Sequence, residues 1–125
     1  MAESHKKWEV FARDYRRYIR LEKHLSENTV DAYMRDLEEF AHYIMRWFDV
    51  PPERVEQPMI ERYMAWLYDE GRSRASQARR LSGIKSFYNF LLLGDRIEQL
   101  PTEYIEAPKA RRALPDVLTL DEIDA

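Results

Sequence analysis

The chain has 125 residues, a formal net charge of −3, 45% hydrophobic residues, three glycines and no cysteine. This length and composition favour one globular, helix-rich domain over a disordered segment, and the lack of cysteine excludes disulfides, thiolate zinc sites and cysteine nucleophiles. No apolar run approaches the roughly 20 residues that span a bilayer, so we expect a cytoplasmic protein that does not contact a membrane.

The first half of the chain predicts two amphipathic helices. Residues 6–24 place aromatic and aliphatic side chains at spacings of three and four, which favours a first helix. Ser26 can cap the amide groups at the start of a second helix, whose apolar side chains repeat from Val30 to Phe48. Both helices should bury one face against the rest of the chain.

The segment DVPPERVEQP contains three prolines and interrupts the helical pattern. Its last proline suits the first turn of a third helix, and Gly71 is placed to end that helix. A fourth helix is predicted between Ser73 and Gly94, and a short helical turn is predicted near 101–105. The expected fold is therefore an all-α bundle of four helices with one extra turn.

The fourth predicted helix contains no acidic residue. Between Glu70 and Asp95 there are five basic side chains, which give this segment a formal charge of +5. Because the whole chain has a net charge of −3, the other residues together have a charge of −8. Basic side chains on one helix face can displace counterions from DNA phosphates, and a helix fits the major groove. The alternative is a basic face that meets the acidic remainder of the same protein, and composition does not separate the two.

Two other segments could bind phosphate. The residues SENT, from Ser26 to Thr29, combine hydroxyl and amide groups with a helix amino terminus, although capping by Ser26 is a sufficient explanation. Lys109, Arg111 and Arg112 lie in a proline-flanked stretch and could either follow a DNA backbone or keep a linker soluble.

The expected domain boundaries are 1–106 for the helical domain, 107–118 for an extended linker and 119–125 for the start of a second domain. Thr119 and Glu122 form a capping-box pattern that begins a new helix just before the sequence stops. We therefore expect the chain to be a fragment of a longer protein.

Enzyme sites are not indicated by the residue pattern. The three histidines lack metal-ligand spacing, neighbouring carboxylates diverge on a helix, and there is no glycine-rich phosphate loop. Most of the eight tyrosines fall on apolar helix faces, so packing in the core explains them better than nucleophilic chemistry.

Three strings resemble the amino-terminal core-binding domain of Xer-type tyrosine recombinases. They are RLEKHLSENTVDAYMRDLEEFAHYI, SRASQARRLSGIKSFYNFLL and PTEYIEAPKARRALPDVLTLDEI, and the similarity runs in family order from about Phe11 to Ile123. The resemblance implies a four-helix SAM-like orthogonal bundle that forms one half of a C-shaped clamp around duplex DNA. The second and fourth helices would face the major groove, and the linker would cross the backbone to a catalytic domain.

The resemblance also implies which residues contact DNA. Arg79 is expected to contact a guanine edge, because an arginine can bond this base at two points, while the others hold phosphates. Coordinates that placed Arg79 and Lys85 inside the bundle, or locked onto its own carboxylates, would overturn the DNA-binding interpretation. The implied contacts are Ser26, Asn28, Thr29, Tyr33 and Arg35 in the second helix, Ser76, Gln77, Arg79, Arg80, Ser82, Lys85 and Ser86 in the fourth, and Lys109, Arg111 and Arg112 in the linker.

The chemistry of this family uses a tyrosine nucleophile assisted by arginines, a lysine and histidines of the second domain. None of those motifs occurs in residues 1–125, so we expect this chain to position DNA without cleaving it, and without a metal or nucleotide cofactor. By resemblance, the complete protein would join a second Xer recombinase subunit in a tetramer on DNA and resolve chromosome dimers. A helical protein–protein interaction module and a stand-alone DNA-binding regulator are the alternatives.

Overall fold

A computed structural model describes residues 2–106, which form a bundle of four helices without strands in this part of the chain. The predicted all-α class is confirmed, and residues 107–125, which were predicted to form a linker and the start of a second domain, lie outside the described residues. The elements in chain order are α1 (Ala2–Leu21), α2 (Glu27–Trp47), a 3₁₀ helix (Pro52–Arg54), α3 (Gln57–Asp69) and α4 (Arg74–Leu93).

Helix α1 differs from its prediction at both ends, because 6–24 was expected and the helix covers Ala2–Leu21. It ends early because His24 adopts a left-handed conformation, with φ of 57°. The amide of Leu25 then donates to the carbonyl of Ile19 at 3.2 Å, which turns the chain towards α2. Apolar spacing does not reveal such a turn, because no glycine marks it.

The end of α3 follows the prediction for Gly71, whose φ is +82°. Its amide donates to the carbonyl of Tyr68 at 3.0 Å, and the amide of Arg72 donates to that of Leu67 at 3.1 Å. These two bonds define a Schellman motif, in which a left-handed residue satisfies the last helical carbonyls. The short connection leads directly into α4, which Ser73 caps by accepting a hydrogen bond from the Ser76 amide.

The core lies where α1, α2 and α4 meet. The ring of Trp8 lies 5.8 Å from that of Phe40 and 6.0 Å from that of Phe87, and Tyr15 contacts Phe87 edge-on at 5.4 Å. Aromatic pairs in such geometries add to the stability gained from burial alone. Helix α2 contacts all three other helices, so its residues connect the bundle.

The proline-rich segment between α2 and α3 is fixed to the bundle by two side chains. Trp8 Nε1 donates to the carbonyl of Val50 at 3.0 Å, and the hydroxyl of Tyr88 donates to that of Pro52 at 2.9 Å. Burial raises the pKa of Tyr88 well above its ordinary value, so this hydroxyl stays protonated. The tyrosine therefore has a structural role, as the sequence pattern indicated.

The short helical turn predicted near 101–105 is a series of turns rather than a helix. The amide of Ile105 donates to the carbonyl of Thr102 at 3.2 Å, and both side chains are buried. In the described part of the chain, no helix has the length and apolar character that crossing a membrane requires.

Candidate nucleic-acid interface

The amino end of α2 has the predicted cap. Ser26 Oγ accepts a hydrogen bond from the Thr29 amide at 3.2 Å and donates one to Thr29 Oγ1 at 3.0 Å. Ser26 and Asn28 are exposed, so polar groups at this helix end face solvent. Free amide groups and the helix dipole give this end a partial positive charge that suits an anion.

Asp36 lies two turns further along α2, opposite α4. Its side chain is only 7% exposed, and its carboxylate accepts hydrogen bonds from Arg79 Nε at 2.9 Å and Arg79 Nη2 at 3.1 Å. Arg80 Nη1 lies 3.3 Å from the same carboxylate. One buried acid of α2 therefore meets two neighbouring basic residues of α4.

Glu39 extends this network to the α3–α4 connection. It accepts hydrogen bonds from Arg72 Nη2 at 2.7 Å and from the Tyr63 hydroxyl at 3.2 Å, and it also pairs with Arg80. Partial burial alone would raise the pKa of Glu39. The hydrogen bond from Arg72 and the charges of Arg80 and Arg72 outweigh that effect and lower the pKa below its ordinary value.

The network includes three arginines of the acid-free segment and leaves Lys85 outside it. The alternative drawn from the sequence, a basic face that meets the protein's own acids, is correct for Arg72, Arg79 and Arg80, because each pairs with a carboxylate of α2. This pairing counts against the prediction of Arg79 as a DNA contact, although 51% of its side chain remains exposed. Lys85 forms no ion pair within residues 2–106 and is not buried.

Lys85 lines an open depression further along α4, with a volume of about 300 Å³. Lys23, from the α1–α2 connection, lies in the same depression, and within the described residues neither ammonium group pairs with a carboxylate. This makes the depression a polar, basic surface. The residues that line it are Tyr18, Lys23, Ser82, Lys85, Ser86 and Asn89.

Three residues of this depression were missed by the sequence prediction. Asn89 lies one turn after Lys85 on the polar side of α4, and that spacing could have identified it. Tyr18 and Lys23 come from α1 and from the turn after it, and only the packing of α1 against α4 brings them here. Ser86, which was predicted, accepts a hydrogen bond from the Tyr15 hydroxyl at 2.9 Å.

Gln77 requires a correction. Its side chain is 6% exposed, and Nε2 donates to the carbonyl of Arg72 at 2.9 Å. Gln77 therefore closes the α3–α4 connection, and we do not include it among the DNA contacts proposed below. The neighbouring Ser76 is partly buried, and its hydroxyl oxygen accepts a hydrogen bond from Arg80 Nε at 3.2 Å.

Two further predicted residues within the described range, Arg35 and Tyr33, do not line the depression on α4. Arg35 is exposed and lines a separate groove of about 940 Å³ between α1 and α2. Tyr33 is partly buried and packs against the core. Lys109, Arg111 and Arg112 lie outside the described residues, so their contacts stay predictions.

A family model described as "Phage integrase, N-terminal SAM-like domain" matches residues 12–93, which include α2, α3 and α4. The chain belongs to this family. The family predicted from the three strings is confirmed, and a SAM-like bundle accounts for the four helices.

Individual relatives agree with this family. The protein named tyrosine recombinase XerD of Staphylococcus aureus (strain N315) is 35% identical over 115 residues, which cover 92% of this chain and 39% of the relative. Tyrosine recombinase XerD of Staphylococcus haemolyticus (strain JCSC1435) is 36% identical over the same proportions. The chain thus spans about two fifths of these relatives, and no solved structure matches it.

Proposed function

We propose that this chain is the DNA-binding, core-binding domain of a Xer-type, XerD-like site-specific tyrosine recombinase. The observation that carries the proposal is the basic depression on α4, where Lys23 and Lys85 lie together without a carboxylate partner among residues 2–106. Membership of the integrase family makes duplex DNA the ligand that best explains such a surface.

The geometry suggests how the domain holds a duplex. Lys23 and Lys85 would pair with phosphate oxygens, and Ser82, Ser86 and Asn89 would donate hydrogen bonds beside them. The exposed amino end of α2, with Asn28, would add a further phosphate contact. These contacts would set the register of α4 on the major groove, and Arg79 would then reach a base edge.

We propose that the rest of the function belongs to a longer protein that contains this chain. We propose that residues 107–118 connect this domain to a catalytic domain, and that Lys109, Arg111 and Arg112 follow the DNA backbone across that connection. The catalytic domain would begin near residue 119 and provide the tyrosine that cuts and rejoins DNA strands. The complete enzyme would then act in the cytoplasm, with a second Xer subunit in a tetramer, to resolve chromosome dimers.

Salt dependence of binding to a labelled duplex tests this proposal. With about five phosphates neutralised, the logarithm of affinity should fall with the logarithm of salt at a slope of about −4.5. Lys85→Ala should weaken binding to every duplex and reduce the slope by about 0.9, because one phosphate contact is lost.

Lys6→Ala is the matched control for Lys85→Ala. Lys6 is exposed, and it lies twelve residues before Tyr18 on α1, or about 18 Å along the helix axis. Its removal should leave affinity and slope unchanged. A slope near zero for the unmodified chain, or equal losses from the two lysine variants, would contradict the proposal.

A helical protein–protein interaction module remains the second candidate function, because large aromatic side chains are exposed. Trp47 is 60% exposed and Tyr68 is 72% exposed, and the guanidinium of Arg46 lies 5.4 Å from the Trp47 ring. Aromatic and arginine side chains are enriched at the centres of protein interfaces. This function predicts weak DNA binding with little dependence on salt.

A further inference from the structure

Asp36 is a buried carboxylate beside the surface proposed to bind DNA. A carboxylate loses hydration when it is buried, and it is tolerated only with close positive partners. Asp36 would also repel phosphates that approach α4. A purely structural ion pair could use the less exposed Arg80 alone. Asp36 instead accepts two hydrogen bonds from the more exposed Arg79.

The geometry of these two bonds determines what Arg79 can still do. A guanidinium has five N–H groups in one rigid plane. Asp36 accepts from Nε and from Nη2, which occupy one edge of that plane. The other edge, formed by Nη1 and the second hydrogen of Nη2, has no partner in the described residues. It is an edge with two parallel donors on a half-exposed side chain.

Arg80 shows that this arrangement is particular to Arg79. Arg80 approaches the same carboxylate, but Nη1 also pairs with Glu39 and Nε donates to Ser76. Its side chain is 15% exposed, so it has little surface for an external ligand. Of the two α4 arginines at Asp36, only Arg79 combines a fixed guanidinium with exposure.

We propose that Asp36 is a specificity-determining positioning residue, which holds Arg79 so that its outer edge reads a guanine in the major groove. Guanine O6 and N7 are two adjacent acceptors that match two parallel arginine donors. A side chain held in place before binding loses less conformational freedom when it contacts the base. This inference rests on the proposed function, because it requires α4 to face DNA.

We expect Asp36→Asn to lower specificity without lowering general affinity. Without the carboxylate, Arg79 can swing towards phosphates, and the repulsion between Asp36 and DNA disappears. Discrimination against a guanine-to-adenine change, expected to be about 5- to 150-fold in the unmodified chain, should fall towards one. Affinity for unrelated duplexes should stay the same or rise.

The experiment first selects preferred duplexes from a randomised pool with the unmodified chain. Affinities are then measured for the selected duplex and for single guanine-to-adenine variants. Glu39→Gln is the matched control, because it removes a charge from the same network without touching Arg79, and it should keep the discrimination. Arg79→Lys keeps the charge but loses the paired donors, so it should lose the discrimination while binding unrelated duplexes normally.

A double variant separates positioning from a merely structural effect. In the Arg79→Ala background, Asp36→Asn should change discrimination no further, because its effect passes through the missing arginine. Circular dichroism and thermal unfolding establish whether each variant folds. If Asp36→Asn does not fold, a comparison of the base discrimination of Arg79→Lys with that of Glu39→Gln still tests the paired donors of Arg79.

The outcomes distinguish this inference from the proposed function. Absence of salt-dependent DNA binding by the unmodified chain would overturn both. Normal binding with full discrimination in Asp36→Asn would overturn the role of Asp36 alone. An equal loss of discrimination from Asp36→Asn in the presence and absence of Arg79 would also overturn it. If Arg79→Lys retains full discrimination, the paired donors do not read the base.

Discussion

At the scale of single residues, Glu39 connects three helices through side chains that are far apart in sequence. It accepts hydrogen bonds from Arg72 at the α3–α4 connection, from Tyr63 of α3 and from Arg80 of α4. These partners favour the ionised carboxylate and lower its pKa despite partial burial. Ionised Glu39 should therefore stabilise the folded bundle.

The free energy of unfolding should depend on pH through the ionisation of Glu39. Because the folded pKa of Glu39 is lowered, its contribution is complete above the unfolded pKa of about 4.3 and is lost as pH falls through the folded pKa. Glu39→Gln should reduce the free energy of unfolding near neutral pH by about 1–2 kcal/mol, a value discounted for partial exposure. Thermal unfolding at a series of pH values from neutral to below 4 measures both effects.

Glu38→Gln provides the control for this prediction. Glu38 is the exposed neighbour of Glu39 and has no ion pair within residues 2–106. Its replacement should change the midpoint of unfolding little at any pH. If Glu39→Gln and the unmodified chain lose stability equally on acidification, the network does not have the stabilising role assigned to it.

The sequence predicts how exposed Arg79 and Arg80 are, but it does not predict which acidic residues they pair with. A helical wheel places Arg79 on the outer side of α4 and Arg80 nearer its apolar edge, and the structure agrees. It cannot show that Asp36 faces both, because that depends on how α2 crosses α4. The correction at Gln77 has the same origin, since a neighbouring loop covers a polar side chain.

At the scale of the elements, two glycines have different roles because one ends a helix and the other lies inside one. Gly71 adopts φ of +82° at the end of α3, where a side chain would be strained. Gly83 lies inside α4, and a Cβ built there meets no atom within 4 Å. The two glycines should therefore respond oppositely to alanine.

Gly71→Ala should reduce the free energy of unfolding by about 1–2 kcal/mol, because a left-handed alanine is strained. Gly83→Ala should raise it by about 0.5–1 kcal/mol, because alanine favours the helix interior over glycine. Chemical denaturation of both variants measures the difference. A change of the same sign at both positions would show that the ends of α3 or the packing of α4 are misassigned.

The helix ends also show where sequence prediction fails. The wrong end predicted for α1 arises because His24 takes a left-handed conformation, which is uncommon for residues other than glycine. At the end of α4 the predicted boundary is correct, yet Gly94 has φ of −89° and Asp95 is the left-handed residue, with φ of 60°. Local residue preferences indicate that a helix stops, but not which residue turns the chain.

At the scale of the whole molecule, the separation of charge along the chain is only partly a separation in space. Arg72, Arg79 and Arg80 are paired with acids of α2, so they do not contribute their full charge to an external field. Lys23 and Lys85 remain together on the α4 side. The basic surface is therefore smaller than the five basic residues suggested, and it includes a lysine from outside that segment.

Whether α4 faces DNA can be measured by an NMR titration of the isotopically labelled chain with a duplex. Backbone amide signals should shift at the start of α2 and around the α4 depression, including those of Asn28, Ser82 and Lys85. Signals near the exposed aromatic side chains Trp47 and Tyr68 should not change. Shifts confined to that aromatic surface, or no shifts on α4 at a DNA concentration that saturates binding, would contradict the claim that α4 faces the duplex.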